Sequence, residues 1–190
     1  MADTPAHGLP LVDETEASEE INELFGHFKR MWQLPFVPNM VKGLAPSPAA
    51  LKMYLGLNRE FEDNLTLPGA MVSMICFTVA EKSDCTYCTA AHEIHCRHLG
   101  VDEETLRTIA NDLKDVNPER IRAIIEFALK VAKYPQELEP ADYDAVRAQG
   151  VTNEEIIEIV MIAGFAVFLD IVADGLKIEV EEEVIDALAQ

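Results

Sequence analysis

Apolar residues recur at helical spacing along most of the chain. Between residues 18 and 33 the apolar positions Ile21, Leu24, Phe25 and Phe28 lie three or four residues apart, and this period predicts an amphipathic helix. Similar segments follow, separated by proline, glycine and polar residues that cap or stop helices. The predicted helices span residues 18–33, 40–44, 48–63, 70–81, 85–99, 103–111, 118–133, 141–149, 153–173 and 181–188.

Two of these segments, residues 70–81 and 156–172, are apolar on almost every side, which is typical of buried helices. The longest apolar stretches, such as 160–172, are expected to be too short or too interrupted to cross a bilayer. We find no alternating pattern of the kind that predicts strands, and no long linker. The sequence therefore predicts an all-α bundle of antiparallel helical hairpins, with one domain over residues 1–190 and residues 1–17 as a loose N-terminal arm or one that docks.

Composition narrows the classes of function. The net charge of −19 and the absence of a basic patch disfavour nucleic acid and anionic lipid as partners. The N-terminus is polar and acidic, unlike a secretory signal. Four cysteines in 190 residues are too few for a disulfide scaffold. We therefore expect a soluble cytoplasmic protein, in which a CxxC pair indicates redox or metal chemistry.

The CxxC pair consists of Cys85 and Cys88, and His92 follows one helical turn later. On a helix these three side chains share one stripe. The preceding Ser83-Asp84 predicts an N-cap, so that Cys85 would open the helix and its thiolate would be favoured by the helix dipole. Cα atoms three residues apart on a helix lie about 5–6 Å from each other, within disulfide range. A redox pair is the preferred interpretation, with a metal site or two incidental core cysteines as alternatives.

A closed zinc site would need four ligands, drawn from Cys85, Cys88, His92 and either His95 or Cys96. One straight helix presents a stripe and does not surround an ion tetrahedrally. The sequence has no second CxxC to complete such a site. We therefore expect no metal and no cofactor.

Three further residues belong to the candidate site. His92 can take the thiol proton or stabilise a thiolate. Glu81 would lie one turn before Cys85 if the helix were unbroken, and its carboxylate could then orient His92; the alternative is the charged end of a buried helix. Tyr87 lines the pocket, donates a hydrogen bond, or packs against a neighbouring helix or subunit.

The arrangement Cys85-x-Tyr87-Cys88-x-x-x-His92 after an apolar helix resembles the alkylhydroperoxidase D-like / carboxymuconolactone decarboxylase-like superfamily. Phe36-Val-Pro-Asn39 and the segment 171–176 resemble its peroxidase-related branch. The resemblance covers roughly residues 34–176. It implies an all-helical fold, homo-oligomers and thiol peroxidase chemistry.

Within that resemblance, Cys88 is the cysteine that attacks the peroxide, Cys85 is the resolving cysteine and His92 is the base of a proton relay. The hydroperoxide substrate and an external thiol or dithiol reductant follow as partners. The chain departs from the pattern at two positions. Ser73 stands where the family commonly has a relay glutamate, and Tyr87 replaces a histidine of the founding members.

The sequence therefore predicts an oxidoreductase of the peroxidase type. Two alternatives stay open: a non-enzymatic thiol switch or protein-interaction module, and a decarboxylase-type enzyme on the same fold that ignores the thiols. The apolar helices 70–81 and 156–172 carry more apolar surface than a single bundle needs, which fits a homo-oligomer.

Overall fold

The computed structural model describes residues 9–189, and within them it has ten α-helices and no strand. The all-α prediction is confirmed. The helices are α1 (Glu19–Trp32), α2 (Asn39–Leu44), α3 (Pro48–Asp63), α4 (Gly69–Glu81), α5 (Thr86–His98), α6 (Glu103–Asn111), α7 (Glu119–Lys133), α8 (Pro140–Ala148), α9 (Asn153–Leu176) and α10 (Glu182–Leu188).

Helix boundaries follow the capping residues of the sequence. Ser18, Ser47, Asp102 and Thr152 each accept a hydrogen bond from a backbone N–H in the first turn of the helix that they cap. These bonds satisfy donors that have no partner inside the helix. Local side-chain chemistry therefore explains where α1, α3, α6 and α9 begin.

Helices α4 and α9 pack against each other at the centre, and each contributes to two hydrophobic cores. One core lies mainly between α4, α6, α7 and the first half of α9. The other joins α1, α2 and α3 to the start of α5 and the second half of α9. Cys85 and Cys88 lie in this second core, so the CxxC pair is surrounded by side chains from several helices.

The length of helix α9 contradicts the expectation that the apolar segments are too short to cross a bilayer. It runs for 24 residues without a break and is long and apolar enough, by length and composition alone, to cross a membrane. The expectation that no apolar segment has this length was wrong, because α9 continues to Leu176. In the structure 56% of its most apolar window is buried inside the protein, and it packs against α4 and α7 as a core helix.

Part of the predicted N-terminal arm docks on the bundle. The backbone N–H of Val12 donates to the carbonyl of Lys42 at 3.2 Å, and the Val12 side chain packs against the second core. Residues 1–8 lie outside the described part of the chain.

Candidate functional site

A tight turn between α4 and α5 positions the CxxC pair. Asp84 adopts a left-handed conformation with φ of 59°, and the next residue, Cys85, donates its backbone N–H to the carbonyl of Ala80 at 3.1 Å. Cys85 is itself the N-cap, and α5 begins at Thr86. The Ser83-Asp84 pair was therefore wrongly predicted as the cap, because it forms the turn. Cys88 lies in the first turn of α5.

The two thiols face a carboxylate that comes from another helix. The Sγ atoms of Cys85 and Cys88 and a carboxylate oxygen of Asp170 on α9 all lie within 4.8 Å of one another. All three residues are buried, with exposed fractions of 0%, 2% and 6%. Neither cysteine forms a disulfide. The structure thus brings together a reduced dithiol and a buried acid.

A comparison within α9 shows how unusual the environment of Asp170 is. Glu158 is also buried in this helix, but its carboxylate accepts hydrogen bonds from the backbone N–H groups of Thr66 and Leu67 and from the Thr66 hydroxyl at 2.8–2.9 Å. Both carboxylate oxygens of Asp170 are buried without a hydrogen-bond partner of normal geometry among the described residues. A buried acid without partners is costly to keep, and such groups cluster at functional sites.

Burial raises the pKa of Asp170 to about 6, although the nearby thiols of Cys88 and Cys85 favour its ionised form. The interaction with the Cys85 thiol raises the pKa of Cys88 far above its ordinary value, and burial and the charge of Asp170 add to this effect. At neutral pH the resting pair is therefore a Cys88 thiol beside an ionised Asp170. The dipole-favoured thiolate expected from the sequence concerns Cys85, and it stays a prediction.

His92 lies in the second turn of α5 and is partly buried. Burial, reinforced by the neighbouring His95, lowers the pKa of His92 to about 3. Its imidazole is therefore neutral at physiological pH and a weak base. His95 packs edge-on against the ring of Trp32, with a centroid distance of 4.4 Å. His92 does not belong to the group formed by the two thiols and Asp170, and its role as relay base stays a prediction.

Two other candidate positions also lie outside this group. Glu81 is the last residue of α4, and its carboxylate is not among the clustered ligand atoms. Ser73 donates to the backbone carbonyl of His92 at 3.4 Å and accepts from the Cys96 thiol at 3.2 Å. The residue that replaces the family's relay glutamate therefore ties α4 to α5.

Tyr87 has a supporting position beside the pair. Its hydroxyl donates to a carboxylate oxygen of Glu181 at 3.0 Å and accepts from the backbone N–H of Met40 at 3.3 Å. Glu181 also accepts from the backbone N–H of Asn39. Of the roles considered for Tyr87, the structure shows two: its ring is buried in the second core, and its hydrogen bonds join α5 to α2 and to the start of α10.

Sequence reasoning missed Asp170. Its position next to the cysteines depends on how α9 packs against α5, which no local pattern reveals. One feature pointed to it: Asp170 and Glu158 are the two acids inside the apolar run 156–173, where an ionisable side chain must have a structural partner or a function.

The ten helices define an alkylhydroperoxidase D-like fold, and solved structures confirm at this level the resemblance seen in the sequence. An uncharacterised peroxidase-related protein from Ralstonia eutropha JMP134, described as an alkylhydroperoxidase AhpD core, superimposes with a TM-score of 0.84 and 24% identity over 92% of each chain. A peroxidase-related protein from Silicibacter sp. TM1040 gives a TM-score of 0.83 and 24% identity, covering 93% of this chain and 91% of that one.

The debrominase Bmp8, in complex with 2,3,4-tribromopyrrole, gives a TM-score of 0.81 and 16% identity over 100% of this chain and 98% of that one. No protein-family model matches the sequence, and no curated protein does. The likeness therefore establishes the fold, which is found in enzymes and peroxidase-related proteins, and the chemistry of this chain must be argued from its own residues.

Proposed function

We propose that the protein is a thiol-dependent peroxidase in which Cys88 attacks a hydroperoxide and Cys85 then forms a disulfide with it. Asp170 accepts the proton of the Cys88 thiol and passes it to the leaving alkoxide. The observation that carries this proposal is the buried group of two free thiols and an unpartnered carboxylate within 4.8 Å. A thiol must lose its proton to become a nucleophile, and this group contains both the thiol and a base.

In the first step the Asp170 carboxylate takes the proton of the Cys88 thiol while sulfur attacks the O–O bond. The S–O bond forms, the O–O bond breaks, and Cys88 becomes a sulfenic acid. The alkoxide leaves as an alcohol after it receives the proton from Asp170. With a pKa of about 6, Asp170 is ionised at neutral pH yet can return the proton readily.

In the second step the Cys85 sulfur attacks the sulfenic acid of Cys88, a disulfide forms and water leaves. The pair lies at the N-cap and in the first turn of α5, so it closes without moving a distant element. An external thiol or dithiol then reduces the disulfide by exchange and is itself oxidised. In this mechanism the neutral His92 contributes a hydrogen bond to substrate or water. Glu81 takes no part in the proton transfer, which is assigned to Asp170.

The surroundings of Cys88 favour an organic hydroperoxide over hydrogen peroxide. Cys88 belongs to the second core, whose other members include Tyr54, Phe165 and Leu169. Burial is the largest cause that raises the pKa of Tyr54 above its ordinary value, so Tyr54 is a neutral phenol in this core. An apolar group of the substrate would be buried favourably against these side chains.

We also propose a homo-oligomer that assembles through α9. The outward side of this helix carries an apolar stripe at i, i+3, i+4, i+7, i+11 and i+14 spacing, and the stripe is about 21 Å long. Its members are all exposed: Ile157, Val160, Met161, Gly164, Phe168 and Ile171. A second copy is the fitting occupant, because the net charge of −19 disfavours an anionic membrane.

A cytoplasmic location, where thiols stay reduced, is also part of the proposal.

The test is hydroperoxide consumption with a dithiol reductant, together with trapping of sulfenic acid. We expect Cys88→Ser to abolish consumption. In the absence of the reductant, Cys85→Ser should consume about one equivalent and accumulate a trappable sulfenic acid at Cys88. Cys96→Ser, a buried cysteine outside the group, should keep full activity. Undiminished turnover in Cys88→Ser would contradict the proposal, and a wild-type disulfide that forms without peroxide turnover would favour the thiol switch.

A further inference from the structure

The group that we assign to peroxide chemistry is also a donor set for a thiophilic metal. In a tetrahedral zinc site the Zn–S and Zn–O distances are about 2.3 Å and 2.0–2.2 Å, so neighbouring donors lie about 3.6–3.8 Å apart. The Sγ atoms of Cys85 and Cys88 and the Asp170 oxygen lie within 4.8 Å of one another. Closing the set around an ion therefore requires movements of about 1 Å, which side-chain rotation provides.

We propose that the reduced protein binds one Zn²⁺ ion through the sulfur atoms of Cys85 and Cys88 and a carboxylate oxygen of Asp170, and that the bound ion protects the two thiols from oxidation. Three protein ligands leave the fourth tetrahedral position for a water molecule. Zn²⁺ binding and peroxide reduction use the same sulfur atoms, so they exclude each other.

The sequence argument against zinc considered ligands from one helix. The structure removes that objection, because Asp170 reaches the pair from α9 while Cys85 and Cys88 lie at the start of α5. Asp170 also differs from Glu158, the other buried acid of the same helix, whose oxygens are hydrogen-bonded. The oxygens of Asp170 are buried, 94% of the residue's surface being covered, and have no hydrogen-bond partner of normal geometry among the described residues. The groups near enough to favour its charge are the thiols of Cys88 and Cys85 and the side chain of Ser83. A carboxylate held in this state next to two thiols is arranged as a ligand.

The binding reaction balances without a redox step. Two thiol protons are released, two Zn–S bonds and one Zn–O bond form, and the coordinated group has a net charge of −1. Nothing is oxidised or reduced. A disulfide can form only after both Zn–S bonds have broken, so the ion must leave before Cys85 and Cys88 can be joined.

The donor set favours zinc over the hard cations of the cell. Thiolates prefer soft or borderline metals, whereas Mg²⁺ and Ca²⁺ prefer oxygen ligands.

The turn residues Ser83 and Asp84 directly before Cys85 are exposed, as is Asp174 one turn beyond Asp170. A local opening of this turn gives an entry path, and a chain with a net charge of −19 attracts cations towards it.

The experiment uses the reduced full-length protein, freed of metal by a chelator and titrated with Co²⁺ and then with Zn²⁺. We expect one equivalent of Co²⁺ to give the near-ultraviolet charge-transfer band of cobalt thiolate and the visible bands of four-coordinate cobalt, and one equivalent of Zn²⁺ to abolish both. Asp170→Asn should weaken Zn²⁺ binding by about 10–100-fold or more. Asp174→Asn makes the same change of charge at an exposed residue one turn away. Its charge affects the pKa of Asp170 less than burial does, so this variant should weaken Zn²⁺ binding much less than Asp170→Asn.

Wild-type protein with a preformed Cys85–Cys88 disulfide is a control that needs no substitution, and it should bind neither ion. The proposal is overturned if the reduced protein gives no cobalt-thiolate band, if the disulfide form binds as well as the reduced form, or if Asp170→Asn binds as tightly as Asp174→Asn. Protection is measured as the rate of disulfide formation with a thiol-specific oxidant, with and without one equivalent of Zn²⁺. Because no step involves a hydroperoxide, failure here and failure of the peroxidase assay are distinguishable.

Discussion

Replacing Asp170 with asparagine should change the stability of the protein in a pH-dependent way. Burial raises the pKa of Asp170 from 3.8 to about 6, so the folded protein favours the protonated acid. The contribution of this group to stability is therefore complete below pH 3.8 and is lost as the pH rises through about 6. Asparagine cannot ionise, and its variant escapes this loss.

The magnitude follows from the pKa difference. At about 1.4 kcal/mol per pKa unit, ionising Asp170 in the folded protein costs about 3 kcal/mol at pH 8 and about 1.6 kcal/mol at pH 5. Whatever constant effect the amide has on packing, the stability of Asp170→Asn relative to wild type should rise by about 1.4 kcal/mol between these two pH values. A difference of this size is measurable by chemical denaturation.

The assay is urea unfolding of both proteins at pH values between 5 and 8, at one protein concentration, with a reductant and a chelator present. The fixed concentration matters because assembly contributes to apparent stability. Asp174→Asn is the matched control. It removes a nearby charge that adds to the raised pKa of Asp170, so it should keep a pH dependence like that of wild type, with the midpoint at slightly lower pH. A stability difference between Asp170→Asn and wild type that does not change with pH would refute the reasoning, because Asp170 would then not titrate in this range.

Three further predictions follow from the same contacts. The rate of Cys88 oxidation by a hydroperoxide should fall below about pH 6 as Asp170 becomes protonated, and Asp170→Asn should slow it by about 10²–10⁴-fold, the contribution typical of general base catalysis; equal rates in stopped-flow measurements would exclude Asp170 as the base. Tyr87→Phe should cost about 1–3 kcal/mol of unfolding free energy, since it removes a buried hydroxyl with two hydrogen bonds, whereas a loss indistinguishable from zero by denaturation would show that these bonds are unimportant. Met161→Glu on the α9 stripe should reduce the mass measured by light scattering to that of a monomer, and Met53→Glu, equally exposed on α3, should not; a monomeric wild type would rule out the proposed assembly.

The fold was largely predictable because its boundaries are encoded locally. Ser47-Pro48 and the Thr152 capping box are short-range chemistry, and the structure places helix starts at these residues. The prediction failed at Ser83-Asp84, where two good capping residues form a left-handed turn and the role of N-cap passes to Cys85. Such a choice depends on the hydrogen bond back to α4, which a local pattern does not contain.

The two cysteines of the candidate site could be predicted from the sequence, but the acidic residue beside them could not. Cys85 and Cys88 are three residues apart in sequence, so one helical turn is enough to bring them together. Asp170 reaches them through the packing of α9 against α5, a contact between distant parts of the chain. The sequence offers Glu81 as a candidate because it is near the cysteines in the chain, but the carboxylate that the fold brings to the thiols is Asp170 on another helix.

The most direct test of the proposed function is the state of the cysteines after a sub-stoichiometric dose of an organic hydroperoxide. Thiol labelling followed by peptide mass spectrometry would locate any disulfide. We predict prompt formation of a Cys85–Cys88 bridge in proportion to the peroxide added, with Cys76 and Cys96 still reduced. A pair that stays fully reduced, or oxidation spread over all four cysteines, would contradict the assignment of this group as a peroxide-reducing site.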